Sequence, residues 1–483
     1  MPENNKQRNK LIAQEELEKQ REYAELNGKL LVARFYPKQP LAYVRTFGCQ
    51  GNVSDGERLK GMLCEMGFEL TEKLEDSDLV LLNTCAIREH AEDRVFGNVG
   101  ALKHLKESKP GVIIALCGCM MQQEHIAEKI KKSYSFVDLV FGTHVIHKLP
   151  ELVFRIVSGE QRIFDLPDSD GFIAEGLPAR RDSKFKAWLP IMYGCNNFCS
   201  YCVVPFVRGR ERSREPDAVI KEAKELIAQG YKEITLLGQN VNSYGKDFDS
   251  DIEFSNLLQR LNGIDGDFII RFMTSNPKDC TRKLLDTMAV SDKVAKHLHL
   301  PFQSGNNRVL EAMNRGYSRE QYLELVAYAR KVMPGLSITS DVIVGFPGES
   351  YEEFRDTLSL VEKAEFTSLF TFIFSAREGT AAAALPDTIG HAEKVKWFKE
   401  LTLLQERISA ERTAAMKGKE FMVLCEKEIK KGESIISGRT EGNVIIEFPA
   451  PLDVIGSFQN VTVTEPLTWM VKGVLANTVE NGF

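Results

Sequence analysis

Short, mostly apolar runs alternate with helix-periodic stretches from residue 41 to about residue 413, and this alternation restricts the fold more than any other feature of the chain. A strand buried on both faces reads as a near-continuous apolar run, and two parallel strands need a crossover between them, usually a helix. The first series of runs is LAYVRTF (41–47), DLVLLN (78–83), GVIIALCG (111–118) and FVDLVFG (136–142), with helical stretches at 55–67, 88–107 and 122–133. It predicts an α/β domain with a doubly wound parallel sheet over residues 41–158. A second series carries EITLLG (233–238), FIIRFMTS (268–275), KHLHLPF (296–302), SITSDVIVG (337–345) and SLFTFIFS (368–375), with helices expected at 217–230 and 319–333. Serial βα units of this kind build a partial or full parallel barrel over 183–413, with functional side chains at the C-terminal strand ends. Residues 159–182 hold Pro167, Gly171, Gly176 and Pro178 among many charges and read as a linker. From 414 to 483 short strands separated by Gly and polar turns predict a small all-β, barrel-like module. Residues 1–40 are highly charged and read as a mobile extension, partly helical at most.

At 483 residues the chain has room for about three domains, and its cores do not need metals in place of packing. The N-terminus lacks the apolar segment of a signal peptide, and no window approaches about 18 uninterrupted apolar residues, so a cytoplasmic protein without membrane contact is expected. A net charge of −6 argues against broad nucleic-acid binding but allows a local basic track. Ten cysteines are far too few for a disulfide scaffold. Cys64, Cys117, Cys280 and Cys425 follow no informative spacing and read as small core residues.

The other six form two sets. Cys195, Cys199 and Cys202, in GCNNFCSYCVVP, have the spacing CxxxCxxC just after the apolar segment LPIMYG. Three thiolates on one loop can hold three irons of a [4Fe–4S] cube, leaving the fourth iron without a protein ligand and open to chemistry. A zinc site would need a fourth ligand that no nearby His supplies, and a thioredoxin-type pair does not use a third Cys upstream. Cys49, Cys85 and Cys119 each follow a strand signal and precede a helical one. In a doubly wound sheet such loops gather along one edge, where ligands bind. Spacing alone leaves this second set open to either a metal-binding or a structural reading.

CxxxCxxC with Tyr201 before the last Cys, at the opening of a βα barrel, resembles the radical S-adenosylmethionine (SAM) superfamily. That resemblance implies that the open iron chelates SAM and that one electron from the cluster cleaves it to a 5′-deoxyadenosyl radical. Over roughly residues 41–478 the chain further resembles the methylthiotransferase family, with a TRAM-like β module at its end. The resemblance rests on TFGCQGNVSD, LLNTCAIREHAEDRVFG and ALCGCMMQQ around the second cysteine set, and on CNNFCSYCVVPFVRGRERSR, LLGQNVNSYG, RFMTSNPKD, LPFQSGNNRVLEAMNRGY and DVIVGFPGES. It implies that Cys49, Cys85 and Cys119 bind an auxiliary [4Fe–4S] cluster that carries the inserted sulfur. It also implies an enzyme using two SAM, a low-potential electron donor and a sulfur source. Gln239-Asn240-Val241-Asn242 and the NNF insert favour the branch that methylthiolates carbon 2 of isopentenyl-modified adenosine beside the tRNA anticodon. The rivals are relatives acting on threonylcarbamoyl-adenosine or a ribosomal-protein aspartate, and a non-catalytic RNA-binding iron–sulfur protein. Asn276, where members often have His, and Gly51, where a larger residue is common, depart from the pattern.

Gln239, Asn240, Ser275, Gln303, Ser304 and Asp341 fall at barrel strand ends and, with Tyr201, are candidate SAM or substrate contacts; barrel-rim hydrogen bonding is the alternative. Gly345, Gly348 and Glu349 read as a turn and helix start. Arg208, Arg210, Arg212 and Arg214 alternate, which in an extended segment places all four on one face suited to phosphate. Lys427, Lys430 and Lys431 in the β module are candidate RNA-backbone contacts. A solvated charged surface is the alternative for both groups.

Overall fold

Strands β1 (Leu41–Thr46), β2 (Glu69–Leu70), β3 (Leu79–Thr84), β4 (Ile113–Gly118), β5 (Leu139–Phe141) and β6 (Ile163–Asp165) form one parallel sheet in the order β2-β1-β3-β4-β5-β6. The structure, a computed structural model, describes residues 11–86, 89–167 and 171–476, and the side chains of 89–93 are not described. The first ten residues of the expected extension, residue 88 of the expected helix and the last seven residues of the β module therefore lie outside the described residues. Helices α1 (Gln14–Phe35), α2 (Gln50–Glu65), α3 (Glu89–Ser108), α4 (Glu124–Ser133) and α5 (Leu149–Val157) cover both faces. Every position of β3 and β4 is buried. Leu79, Leu81, Ile113 and Ala115 pack against α1, α2 and α5. Their neighbours Val80, Leu82, Ile114 and Leu116 pack on the other face against α3 and α4. The sheet is doubly wound, and its order reverses beside β1, where such sheets bind ligands at the C-terminal strand ends.

Three expectations need correction here. Residues 14–35 are a 22-residue helix whose face Gln20, Ala24, Asn27 and Leu31 is buried. Asn27 donates 2.8 Å to Pro150 O, so the segment is part of the domain and not a mobile extension. The supposed linker contributes β6, which adds an edge strand beyond residue 158. Cys64 is exposed rather than core, whereas Cys117, Cys280 and Cys425 are buried.

The second unit begins with β7 (Lys186–Pro190). A two-stranded ribbon of β8 (Met192–Tyr193) and β9 (Arg212–Ser213) brackets the cysteine loop and the short helix α6 (Val204–Arg208). Parallel strands β10 (Glu233–Leu237), β11 (Ile269–Phe272), β12 (His297–His299), β13 (Ser337–Val344) and β14 (Ser368–Ile373) continue it. They form sheets β11-β10-β7 and β12-β13-β14, joined by a parallel bridge between Ile270 and Val294. The barrel is partial, because β7 and β14 do not pair with each other among the described residues. The expected helices are found at Pro216–Ala228 and Arg319–Val332.

Strands β15 (Glu420–Glu428), β16 (Ile435–Thr440), β17 (Ile445–Pro449), β18 (Phe458–Pro466) and β19 (Met470–Leu475) close into a small barrel. Its β16–β17 turn docks on the larger barrel from the end opposite the site. Arg271 donates 2.8 Å to both Thr440 O and Glu441 O, and 2.7 Å to Glu233, the first residue of β10. Among the described residues no helix is long and apolar enough to cross a membrane.

Candidate active site

The auxiliary cysteines stand where the doubly wound sheet places its ligand loops: Cys49 caps α2 after β1, Cys85 follows β3 and Cys119 follows β4. Two glycines allow the approach. Gly48 (φ +109°) and Gly118 (φ +98°) take left-handed backbone, and a Cβ on either would lie 2.3 Å from Cys85 Cβ or from Thr84 O. Asn52 ties the three loops. Its amide donates to Phe47 O at 3.1 Å and Thr84 O at 2.7 Å, and its Oδ1 lies 3.7 Å from Cys49 Sγ and 3.5 Å from Cys119 Sγ. Cys49 is brought down to about 5, chiefly by the Cys85 thiol beside it; burial opposes this, and the Arg208 charge assists. Burial pushes Cys119 up to about 11.

The loop from Cys195 to Cys202 is clamped by the chain around residue 314. Ser200 donates through its N–H to Met313 O at 3.1 Å and through its hydroxyl to Ala312 O at 2.8 Å. Asn314 donates to Asn197 O and Phe198 O. Arg315, absent from the expectations, is buried, with Nη1 3.3 Å from Cys199 Sγ and 3.5 Å from the Tyr201 hydroxyl, and Nη2 2.8 Å from Pro301 O. Its only sequence signal was membership of the motif NNRVLEAMNRGY. Burial pushes Cys195 up to about 11 and Cys202 to about 12. Burial disfavours the bare thiolate here, and a metal bound at the sulfur would favour it, releasing the proton.

The two sets adjoin each other. Val203, next after Cys202, packs with Val207, Ala86 and Cys119. Thr143 of the first domain donates 2.6 Å to Val207 O, and Arg58 donates 2.5 Å to the Tyr193 hydroxyl. Arg208, the last residue of α6, reaches across: Nε lies 3.1 Å from Cys119 Sγ, and Nη2 lies 2.8 Å from Asn52 Oδ1 and 2.7 Å from Asp55. Among the described residues no three His, Cys, Asp or Glu side chains are gathered closely enough to hold a single metal ion. A cube takes each thiolate on a different iron, so its ligands stand wider apart than the donors of one ion.

At the barrel mouth several expected contacts support each other. Gln239 Oε1 accepts from Gly194 N–H at 2.9 Å. Asn240 donates to Asp279 at 2.6 Å and accepts from Asn276 N–H at 3.1 Å. Asn276 accepts from Lys278 N–H, so this departure from the family pattern caps a turn. Gln303 has φ +65° and bridges to Val342. Ser304 Oγ accepts from Asn306 N–H at 3.3 Å, and Asp341 Oδ1 lies 3.5 Å from His299 Nε2. Ser275 Oγ and both polar side-chain atoms of Asn242 are buried without a hydrogen-bond partner among the described residues, as expected of groups that await a polar ligand. Glu349 accepts from Gly345 and Phe346 N–H, and burial pushes it up to about 7. At Gly51 a Cβ would meet Cys49 Sγ at 3.6 Å, Gln239 Nε2 at 3.7 Å and Arg208 Cζ at 3.9 Å, ordinary contacts, so this departure from the family pattern faces the junction between the two cysteine sets.

The arginine row is not one face. Residues 204–208 are helical and Gly209 (φ +72°) turns the chain, so Arg208, Arg212 and Arg214 are buried. Arg212 donates to the carbonyls of Arg208 and Arg210, and Arg214 pairs with Glu175 and Glu222. Arg210 alone of the four is exposed, 4.2 Å above the Phe198 ring, and Phe198 meets the exposed Phe206 edge-on. Lys427 and Lys431 are exposed, and Lys430 pairs with Glu433.

A partial parallel barrel with three cysteines on the loop at its mouth, held beside buried unpaired polar groups, defines a radical SAM enzyme. The model of the radical SAM superfamily matches residues 189–361, and that of the uncharacterized protein family UPF0004 matches residues 41–142. The tRNA-2-methylthio-N(6)-dimethylallyladenosine synthase of Thermoanaerobacter sp. (strain X514) is 47% identical over 473 residues, covering 97% of this chain and 98% of its own. That of Acetivibrio thermocellus is 48% identical, covering 90% and 91%. The radical SAM methyltransferase TsrM of Kitasatospora setae shares the fold, with TM-score 0.53 at 15% identity over 72% of this chain and 77% of its own. The chain belongs to the family of tRNA-2-methylthio-N(6)-dimethylallyladenosine synthases.

Proposed function

We propose that this protein methylthiolates carbon 2 of an isopentenyl-modified adenosine beside the tRNA anticodon, in the cytoplasm, with two SAM per product. The observation that carries the reading is the meeting of two cysteine sets at one domain junction. Cys195, Cys199 and Cys202 would hold one [4Fe–4S] cluster and Cys49, Cys85 and Cys119 a second. When bound, the clusters supply the electron that cleaves SAM and the sulfur that is inserted. The chain's own part is placement. Arg315, anchored on Pro301 O, braces the first loop at Cys199 and Tyr201, and Asn52 fixes the second. Ser275 and Asn242 offer unused donors and acceptors to SAM or substrate at the barrel mouth. Gln239, Asn240, Gln303, Ser304 and Asp341 shape that mouth, and Tyr201 backs the first loop.

RNA contact falls to Arg210 with Phe198 and Phe206, a cation and two rings suited to an unstacked base and its phosphate. Lys427, Lys430 and Lys431 would add backbone contacts from the β module. A low-potential electron donor and a sulfur source complete the partners. The test is an anaerobic assay with reductant, SAM and three substrates: an anticodon stem-loop bearing isopentenyl-adenosine, one bearing threonylcarbamoyl-adenosine, and a ribosomal-protein peptide bearing the aspartate. Product from the first alone is expected, and product from either other substrate instead would overturn the assignment.

A further inference from the structure

We infer that Arg208 is a positioning residue of the methylthiolation centre, tying the auxiliary cysteine site to the SAM-cluster loop and setting its electrostatics, rather than an RNA contact. The inference rests on the proposed second cluster. Arg208 is 7% exposed, too deep to meet a phosphate backbone. Its place in the chain is six residues after Cys202, at the end of a helix that starts from the cysteine loop. Its head group lies in the other domain, on Cys119, Asn52 and Asp55, so one planar fork serves a thiol, the amide that ties the three auxiliary loops, and a carboxylate. A guanidinium stays protonated in proteins, and Asp55 at 2.7 Å balances its buried charge. A guanidinium keeps its direction where an ammonium does not, because its donors are fixed in a plane.

Two consequences follow. A positive charge against the Cys119 sulfur favours added negative charge, so its loss should make the auxiliary cluster harder to reduce. The fork also fixes how the two cysteine sets face each other, so its loss should uncouple radical formation from sulfur insertion. Groups that orient metal ligands typically contribute about 10- to 100-fold.

The test uses the full chain reconstituted with iron and sulfide. For the potential, Arg208→Gln and Arg208→Lys are each placed in a Cys195→Ala/Cys199→Ala/Cys202→Ala background, and the remaining cluster is titrated by electron paramagnetic resonance. The Gln variant should titrate at a lower potential than its parent and the Lys variant close to it. For coupling, methylthiolated adenosine formed per 5′-deoxyadenosine should fall about tenfold or more in Arg208→Gln, and less in Arg208→Lys. An unchanged potential, or an unchanged product ratio, in the Gln variant overturns the inference. If that variant fails to hold the second cluster, the Lys variant decides: a lowered ratio at the parent's potential supports the inference, and an unchanged ratio overturns it. A parent that makes no methylthio product counts against the proposed reaction instead, because the redox arm uses no tRNA.

Discussion

Replacing Arg271 with Ala should loosen the β module from the barrel, and the structure sets the size of the effect. The guanidinium is 6% exposed and makes three bonds, to Glu233 at 2.7 Å and to the carbonyls of Thr440 and Glu441 at 2.8 Å. Without it Glu233, itself 3% exposed, keeps Lys186 at 3.2 Å as its one ion-pair partner among the described residues. Burial drives the Glu233 carboxyl upward, and Arg271 is the largest influence holding it down. A charge-assisted bond is worth about 1.5–3 kcal/mol, but three bonds through one head group are not independent. Breaking a buried pair costs about 3–5 kcal/mol, which is the expected loss. The assay is urea unfolding followed by tryptophan fluorescence, since Trp188 lies on β7 and Trp469 in the β module. Arg271→Ala should add a separate early transition, and Arg271→Ala/Glu233→Gln should recover at least about 1 kcal/mol by removing the stranded carboxylate. A single transition at the parent's midpoint would refute the reasoning.

Cys195→Ala, Cys199→Ala or Cys202→Ala should abolish SAM cleavage while iron content falls by about half, from roughly eight irons towards four; full iron with retained cleavage would sink the assignment. Cys49→Ala, Cys85→Ala or Cys119→Ala should give 5′-deoxyadenosine without methylthiolated adenosine in the same tube, because a short-lived radical needs its sulfur within reach. Normal methylthiolation there would make the second set structural. Glu349 stays protonated in the fold up to about pH 7 but titrates near 4.5 when unfolded. The fold therefore loses stability as pH rises through that window, by on the order of 3 kcal/mol in all. The gain in melting temperature from Glu349→Gln should grow between pH 5 and pH 8, and an equal effect at both values would count against the buried acid.

The parallel strands could be read directly because burial on both faces leaves an uninterrupted apolar run, as at Leu79–Thr84 and Ile113–Gly118. Helix α1 could not, because two of its four buried positions are Gln20 and Asn27, which erase the apolar period while finding partners in α5. The cysteines announced themselves by type and spacing. Their juxtaposition did not, because it depends on contacts such as Arg208 to Cys119, 89 residues apart. The arginine row misled for a local reason: alternation implies one face only in extended chain, and here a helix and a left-handed glycine intervene.

The glycines at 48 and 118 set how much this corner of the domain can vary. Both line the loops of Cys49, Cys85 and Cys119 with backbone alone, and the sheet beneath is sealed by apolar packing on each face. A side chain at 48 would press on Cys85, and one at 118 on the Thr84 carbonyl, each from a left-handed backbone that other residues rarely adopt. With the packed sheet behind them the loops have little room to yield, so the two positions are held to glycine by what their neighbours need rather than by any contact of their own.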